Sequence, residues 1–208
     1  MHKITMPTTL RPVQIARLLE REGSPLAPLA EEIYDLALFY RIDAAFALAQ
    51  CMVESKLGCT LEAQANRSAA LVPLAVARMA APTGPLHPVG TAIPILPPRY
   101  GDEFGTGYVA YPSWLTGLEE YFRILRLIFV DAWREERVED VARAFLASAP
   151  NRRGPAQARQ GALTTRSPEV IAYARRVERY RHQFQTEASA AQAPRLMISQ
   201  TVPPGRRK

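Results

Sequence analysis

The sequence is poor in the residues that bind metals or form disulfide frameworks. It has only two cysteines and three histidines among 208 residues. His2, His87 and His182 are isolated from one another, so no zinc-type pairing exists and we expect no metal or cofactor. Cys51 lies in an apolar segment, where a free thiol behaves as a small hydrophobic side chain. A disulfide between Cys51 and Cys59 is allowed, but nothing in the sequence requires it.

Long hydrophobic runs are also missing. The N-terminal stretch "MHKITMPTTLRPVQIARLLEREG" lacks the continuous apolar region of a signal peptide. No stretch reaches the roughly 18 apolar residues of a membrane span. We therefore expect a chain that is made in the cytoplasm without a signal peptide and that has no membrane span. If it acts outside a cell, a route other than general secretion must deliver it.

Proline and glycine are abundant in one internal segment. The chain contains 18 prolines, and residues 80–107 carry proline and glycine so densely that neither a helix nor a central strand can persist. This segment is predicted to be a lobe or lid. Residues 186–208 are rich in Ala, Gln, Ser and Pro and end in "PPGRRK", which predicts an extended basic tail. Both segments are candidate contacts for protein partners in a larger assembly.

Charge is divided unevenly along the chain. Residues 1–120 carry 9 Lys and Arg against 12 Asp and Glu, whereas residues 121–208 carry 17 against 8. The basic half favours an anionic partner, such as nucleic acid, a cell-wall polymer or a membrane surface. Charge alone does not choose among these, and arginines on solvated helix faces are the plainer interpretation. Nucleic acid is not expected, because no recognition motif accompanies the charge.

Helical periodicity dominates the remainder, so we predict a mainly α fold. Helices are expected from Leu10 to Arg21, from Ser24 with Pro25 at its first position, and from Asp43 to a left-handed end at Gly58. Further helices are predicted from Ser113, over Val138–Ala147, and from Ser167 with Pro168. The predicted organisation is an N-terminal helical extension (1–23), a helical domain (24–185) that includes the lobe, and the tail.

One acidic residue is conspicuous within the third helix. In "AFALAQCMVESKLGC", Glu54 ends a run whose only other strongly polar residue is Gln50, so the helix is predicted to be interior. A carboxyl group removed from water tends to keep its proton, and a protonated glutamic acid can serve as a general acid. Equally, Glu54 could be structural and pair with Arg41 or Arg67.

The spacing around Glu54 resembles a known family. "ALAQCMVESKLG" is similar to the "A-Q-x-x-x-E-S-x-x-G" helix end of lysozyme-like peptidoglycan hydrolases of the glucosaminidase (mannosyl-glycoprotein endo-beta-N-acetylglucosaminidase-like) family. "NRSAAL" is a weak counterpart of "N-N-P-x-G-[IL]". "YVAYPSWLTGLEEYFRIL" closely resembles "F-x-x-Y-x-S-W-x-x-G-I-x-x-Y-x-x-L". The resemblance continues through "VEDVARAFLASAPN" and "VIAYARRV", with Ser148 in place of a family tyrosine.

The resemblance implies a lysozyme-like domain and assigns roles to several residues. Glu54 would be the general acid and Tyr111 would line the cleft beside it. Substrate-binding candidates are Gln50, Ser55, Asn66 and Tyr108. A second carboxylate, acting as nucleophile or base, would come from Glu62, Asp102 or Glu103. Some family members use the N-acetyl group of the substrate instead.

Two functions follow from these observations. The first is hydrolysis of β-1,4 bonds between N-acetylglucosamine and N-acetylmuramic acid in peptidoglycan glycan strands. The chain would then be a phage lysin, a virion component or part of a secretion-type machine that acts at the cell wall. The alternative is a non-catalytic structural or wall-binding module of a larger assembly. The substitution at Ser148 and the unassigned second carboxylate favour this alternative.

Overall fold

The computed structural model is mainly helical, as the periodicity predicted. It describes residues 3–5, 7–72, 108–132, 137–148 and 164–190. Within these ranges the only β pairing is an isolated antiparallel bridge between Lys3 and Arg137. The proline- and glycine-rich segment 80–107 lies outside the described residues, as do residues 191–208 of the predicted tail.

Seven α-helices are present in the described part of the chain. They are α1 (Pro12–Arg21), α2 (Ala30–Tyr40), α3 (Ala44–Ser55), α4 (Leu61–Asn66), α5 (Trp114–Ile124), α6 (Val138–Ser148) and α7 (Pro168–Ala190). A 3-10 turn at Ala27–Leu29 precedes α2, and α5 continues as a π-helical stretch over Leu125–Ala132.

The second predicted helix begins later than its Ser-Pro signal suggested. Ser24 and Pro25 form a turn, and the α-helix starts only at Ala30. Pro28 explains the delay, because it has no backbone N–H to donate and restricts the residue before it. Ser24 instead closes the turn: its Oγ accepts from the Leu26 N–H (3.1 Å) and donates to the Leu57 carbonyl (2.6 Å).

Helix α3 is the central helix of the fold. As predicted, Asp43 caps its first turn by accepting a hydrogen bond from the Ala45 N–H (3.1 Å). Every residue from 44 to 51 is buried, so this helix is interior on all sides. The helix ends at Ser55 rather than near Gly58, because Lys56 already adopts the left-handed conformation (φ 52°).

Helices α3 and α7 run antiparallel through the core. Near the start of α3, Asp43 pairs with Arg181, and further along, Gln50 contacts Tyr173. Residue numbers therefore increase along α3 in the direction in which they decrease along α7. The same core includes Ile15 and Leu19 of α1, from the segment that was assigned to an extension.

The closing helix runs past the predicted boundary at residue 185. It continues to Ala190, and the Gln14 side chain donates a hydrogen bond to the Ala188 carbonyl (2.8 Å). This buried bond ties the end of α7 to α1. The first part of the predicted tail is therefore helical and packed against the domain.

The helices of the described residues differ from membrane spans in length or composition. No single helix among them is both long and apolar enough to cross a bilayer. The bent pair Ala27–Tyr40 and Ala44–Ser55 meets the length and composition criteria only when its two helices, 119° apart, are taken together.

Candidate functional site

Glu54 lies where α3 leaves the core. The preceding residues of the helix are buried through Cys51, whereas Met52, Val53 and Glu54 are half-buried. The carboxyl group therefore belongs to the last turn of an interior helix and is still partly accessible to solvent. A reacting group in this position can meet a ligand without unfolding of the helix.

Gln50 lies one helical turn before Glu54, in a buried polar cluster. Its Oε1 accepts a hydrogen bond from the Tyr121 hydroxyl (2.7 Å), and its Nε2 donates to the Tyr173 hydroxyl (3.3 Å). Gln50 is fully buried, and both tyrosines are nearly so. The structure thus places Gln50 inside the protein, where its amide joins α3 to α5 and α7.

Glu54 is electrostatically coupled to this cluster. Burial raises the pKa of Tyr121 well above its ordinary value, and the charges of Cys51, Tyr173 and Glu54 raise it further. Burial also raises the pKa of the Cys51 thiol, and Glu54 adds to that shift. The carboxylate is therefore close enough to the Tyr121 hydroxyl and the Cys51 thiol to perturb both electrostatically.

Ser55 organises the turn that follows α3. Its Oγ accepts from the Gly58 N–H (2.8 Å) and lies within hydrogen-bond distance of the Cys51 carbonyl (3.1 Å) and the Ala69 carbonyl. Ser55 is fully buried. The hydroxyl thus stabilises the turn and links the chain at residue 69 to the end of α3.

The turn itself has an unusual backbone. Lys56, Leu57 and Gly58 all have positive φ, at 52°, 57° and 87°. Glycine accepts this conformation freely, but each of the other two residues pays roughly 1–2 kcal/mol for it. Such local strain persists only where surrounding contacts enforce it, and it is frequent at functional sites.

The two motif segments that carry the family resemblance meet beside this turn. The Trp114 ring lies against Gly58, where an added Cβ would come within 3.1 Å of it. Three residues along α5, Gly117 lies against the Arg67 carbonyl, where a Cβ would be only 2.3 Å away. Residues 50 or more positions apart in sequence therefore pack together, with a glycine on one side of each contact.

Tyr111 and Asn66 are joined through their backbones. The Tyr111 N–H donates to the Asn66 carbonyl (2.8 Å), and the Arg67 guanidinium donates to the Tyr111 carbonyl (3.3 Å). Asn66 is fully buried and Tyr111 is 4% exposed. The Tyr111 ring also lies beside Gly117. Tyr111 is thus buried beside the contact between Gly117 and Arg67. Residues 66–69 connect it to Ser55, because Tyr111 bonds to Asn66 at one end of this segment and Ser55 bonds to Ala69 at the other.

The remaining candidates are distributed around this region. Tyr108 is buried in a small cluster with Ala63 and Leu71, against Trp114. Glu62 is exposed in the first turn of α4, which Thr60 caps. Asp102 and Glu103 lie outside the described residues. Within the described ranges, no group of three or more His, Cys, Asp or Glu side chains is arranged to hold a metal ion.

Sequence reasoning did not identify Tyr173 or Arg181 as partners of α3. Both lie on the buried face of α7 and contact residues more than 120 positions away. Their spacing of eight residues, close to two helical turns and with Val177 midway, indicates one helix face. The sequence offers no signal that this face meets α3.

No family model, curated protein or solved structure matches this chain.

Proposed function

We propose that this chain is a lysozyme-like domain that cleaves β-1,4 glycosidic bonds of peptidoglycan, with Glu54 as the general acid. The observation that supports this most directly is the position of Glu54, a partly exposed carboxyl on the last turn of a buried helix. The two motif segments that resemble the glucosaminidase family meet beside the turn that follows it. Glycan strands of the cell wall would be the substrate, and no cofactor is required.

The chemistry needs a proton donor within reach of the leaving oxygen. Protonation of that oxygen by a carboxylic acid typically accelerates bond cleavage by about 10²- to 10⁴-fold. Because Glu54 is only half-buried, a sugar oxygen can approach its carboxyl group. The rigid turn held by Ser55 and the packing of Trp114 on Gly58 keep the end of α3 in place.

The second catalytic group decides the stereochemistry of the product. A carboxylate about 5 Å from the acid acts as a nucleophile and retains the anomeric configuration, whereas a separation above roughly 6.5 Å leaves room for water and inverts it. Glu62 is the described candidate. NMR of the first product anomer distinguishes the two routes, and Glu62→Gln tests whether this residue takes part.

The test of the proposal is cleavage of purified sacculi. Wild type should release reducing ends, and Glu54→Gln should reduce the rate by at least about 100-fold, because the amide has no acidic proton to give. Glu31→Gln is the matched control, since Glu31 is an exposed carboxylate on α2. Equal rates for wild type and Glu54→Gln would remove Glu54 from the mechanism.

A specific observation favours the alternative, a non-catalytic wall-binding module. Gln50, Ser55 and Asn66, which the resemblance assigns to substrate binding, are all fully buried. They hold the domain together instead of facing a groove. Wild type that pellets with sacculi but releases no muropeptides, in the presence of an active lysozyme control, would support this second function. The domain would then serve a virion or secretion-type assembly at the cell wall.

A further inference from the structure

The buried cluster of Tyr121, Gln50 and Tyr173 joins three helices through polar groups, although apolar side chains could also fill this part of the core. Replacing hydrogen-bonded partners in a core by apolar groups of the same shape is often neutral or even stabilising. Helix α3 is otherwise apolar from Ala44 to Met52. An amide in that setting, with both its oxygen and its nitrogen hydrogen-bonded, therefore calls for a reason other than burial.

The hydrogen bonds join three helices. Gln50 Oε1 accepts from the Tyr121 hydroxyl, and Gln50 Nε2 donates to the Tyr173 oxygen. Because Tyr121 comes from α5 and Tyr173 from α7, these two bonds restrict the rotation of α3 about its axis.

The cluster lies directly behind Glu54. Residues i and i+4 share one face of a helix, so Gln50 and Glu54 are neighbours on α3. Rotation or translation of α3 at Gln50 would move the Glu54 carboxyl by a similar amount. A displacement of about 1 Å at a reacting group can cost on the order of 100-fold in rate.

We propose that Gln50, Tyr121 and Tyr173 are positioning residues that hold Glu54 in its reactive orientation. This inference rests on the proposed function, and it gives Gln50 an interior role in place of substrate binding. The three residues act through Glu54 and do not touch the substrate.

The deciding experiment removes all three polar partners at once. In Gln50→Met/Tyr121→Phe/Tyr173→Phe both partners of each hydrogen bond to Gln50 are removed together, so we expect an unfolding midpoint close to that of wild type. We nevertheless expect kcat on sacculi-derived glycan oligomers to fall about 10- to 100-fold, with KM changed less than twofold. Gln50→Met alone should lower both the unfolding midpoint and kcat, because it removes a buried hydrogen-bond partner from both hydroxyls.

A purely structural role predicts a different pattern. The triple variant would then recover wild-type kcat together with wild-type stability, and the inference would be overturned. Tyr40→Phe is the matched control, since Tyr40 is a buried tyrosine outside the cluster; its kcat should equal that of wild type.

Two further measurements separate failure of this inference from failure of the proposed function. If Glu54→Gln retains full activity, the proposed function fails in its own assay. Independently of turnover, the 13C chemical shift of the Glu54 carboxyl at a fixed pH should differ between the triple variant and wild type, whereas that of Glu31 should not. An unchanged Glu54 chemical shift would overturn the positioning role, even in a protein without hydrolytic activity.

Discussion

Gly117 shows how a single missing side chain shapes the candidate site. It lies inside α5, where alanine would normally be the better helix former by about 1 kcal/mol. At this position, however, an added Cβ would lie 2.3 Å from the Arg67 carbonyl oxygen and 3.1 Å from the Tyr111 ring. The backbone cannot yield as a flexible side chain would, so the steric cost exceeds the gain in helix propensity.

We therefore expect Gly117→Ala to destabilise the fold by about 1–3 kcal/mol and to lower any glycan cleavage, because α5 must move away from Arg67. Urea unfolding followed by circular dichroism measures the first effect. Gly23→Ala is the control: Gly23 has φ +64° but nothing within 4 Å of the added Cβ. Its cost should be conformational only, about 1 kcal/mol. A Gly117→Ala protein as stable as wild type would contradict the contact.

At the scale of the elements, a buried ion pair fixes how α7 meets α3. Arg181 contacts the Asp43 carboxylate at 2.7 Å, and the two side chains are 4% and 1% exposed. The same guanidinium donates to the Lys3 carbonyl (3.1 Å), while the Asp43 N–H donates to the Ile4 carbonyl (2.8 Å). Two helices and the N-terminal segment thus converge on one charge pair.

Breaking this pair from one side should be costly. Arg181→Met leaves a desolvated carboxylate with only its backbone hydrogen bonds, and we expect a loss of about 3–5 kcal/mol in the free energy of unfolding. Arg21→Met serves as the comparison, because Arg21 reaches Glu187 at 2.6 Å but both side chains are at least 40% exposed. Its loss should stay below about 1 kcal/mol. Similar losses in both variants would show that the buried Asp43–Arg181 pair contributes no more to the free energy of unfolding than the exposed Arg21–Glu187 pair.

For the whole molecule, buried ionisable groups set the response to alkaline pH. Burial raises the pKa of Tyr40 to about 12 from its ordinary 10.0. Burial raises the pKa values of Tyr121 and Cys51 in the same direction. In each case the folded protein favours the neutral form, so stability is fully present below the unfolded-state pKa and declines as pH rises towards the folded-state value.

We expect the free energy of unfolding to fall steeply above pH 10. Tyr40→Phe removes one ionisation and should make the decline between pH 10 and pH 12 shallower by at most about 2–3 kcal/mol. At pH 7, where Tyr40 is neutral in both states, the variant should differ little from wild type. Unfolding curves across the pH range measure this, and an unchanged slope above pH 10 would contradict the assignment to Tyr40.

Much of the helical layout was predictable because it depends on local chemistry. Asp43, Ser113 and the Ser167-Pro168 pair each mark a helix start by side-chain capping or by the fixed φ of proline. The exceptions are also physical. Pro28 delays α2, and Lys56 adopts a left-handed conformation ahead of Gly58 because contacts elsewhere in the fold hold the turn.

The candidate site was predictable only in part. The apolar surroundings of Glu54 along α3 are a property of adjacent residues, so they were visible in the sequence. The partners of Gln50 were not, because Tyr121 and Tyr173 come from helices 71 and 123 positions further along the chain. Hydrophobic periodicity indicates which face of a helix is buried, but it does not say against which other face.

By itself, the sequence determined that this chain is mainly helical, that α3 is interior and that Glu54 follows its apolar part. Each of these depends on residues within a few turns of one another. Only the tertiary structure decided that Gln50 and Ser55 are interior hydrogen-bonding residues. It also decided that Gly117 packs against the Arg67 carbonyl and that Arg181 pairs with Asp43, the N-cap residue of α3. Those outcomes depend on which distant faces pack together, since hydrogen bonds and close contacts require atoms within a few ångströms and sequence separation does not encode that distance.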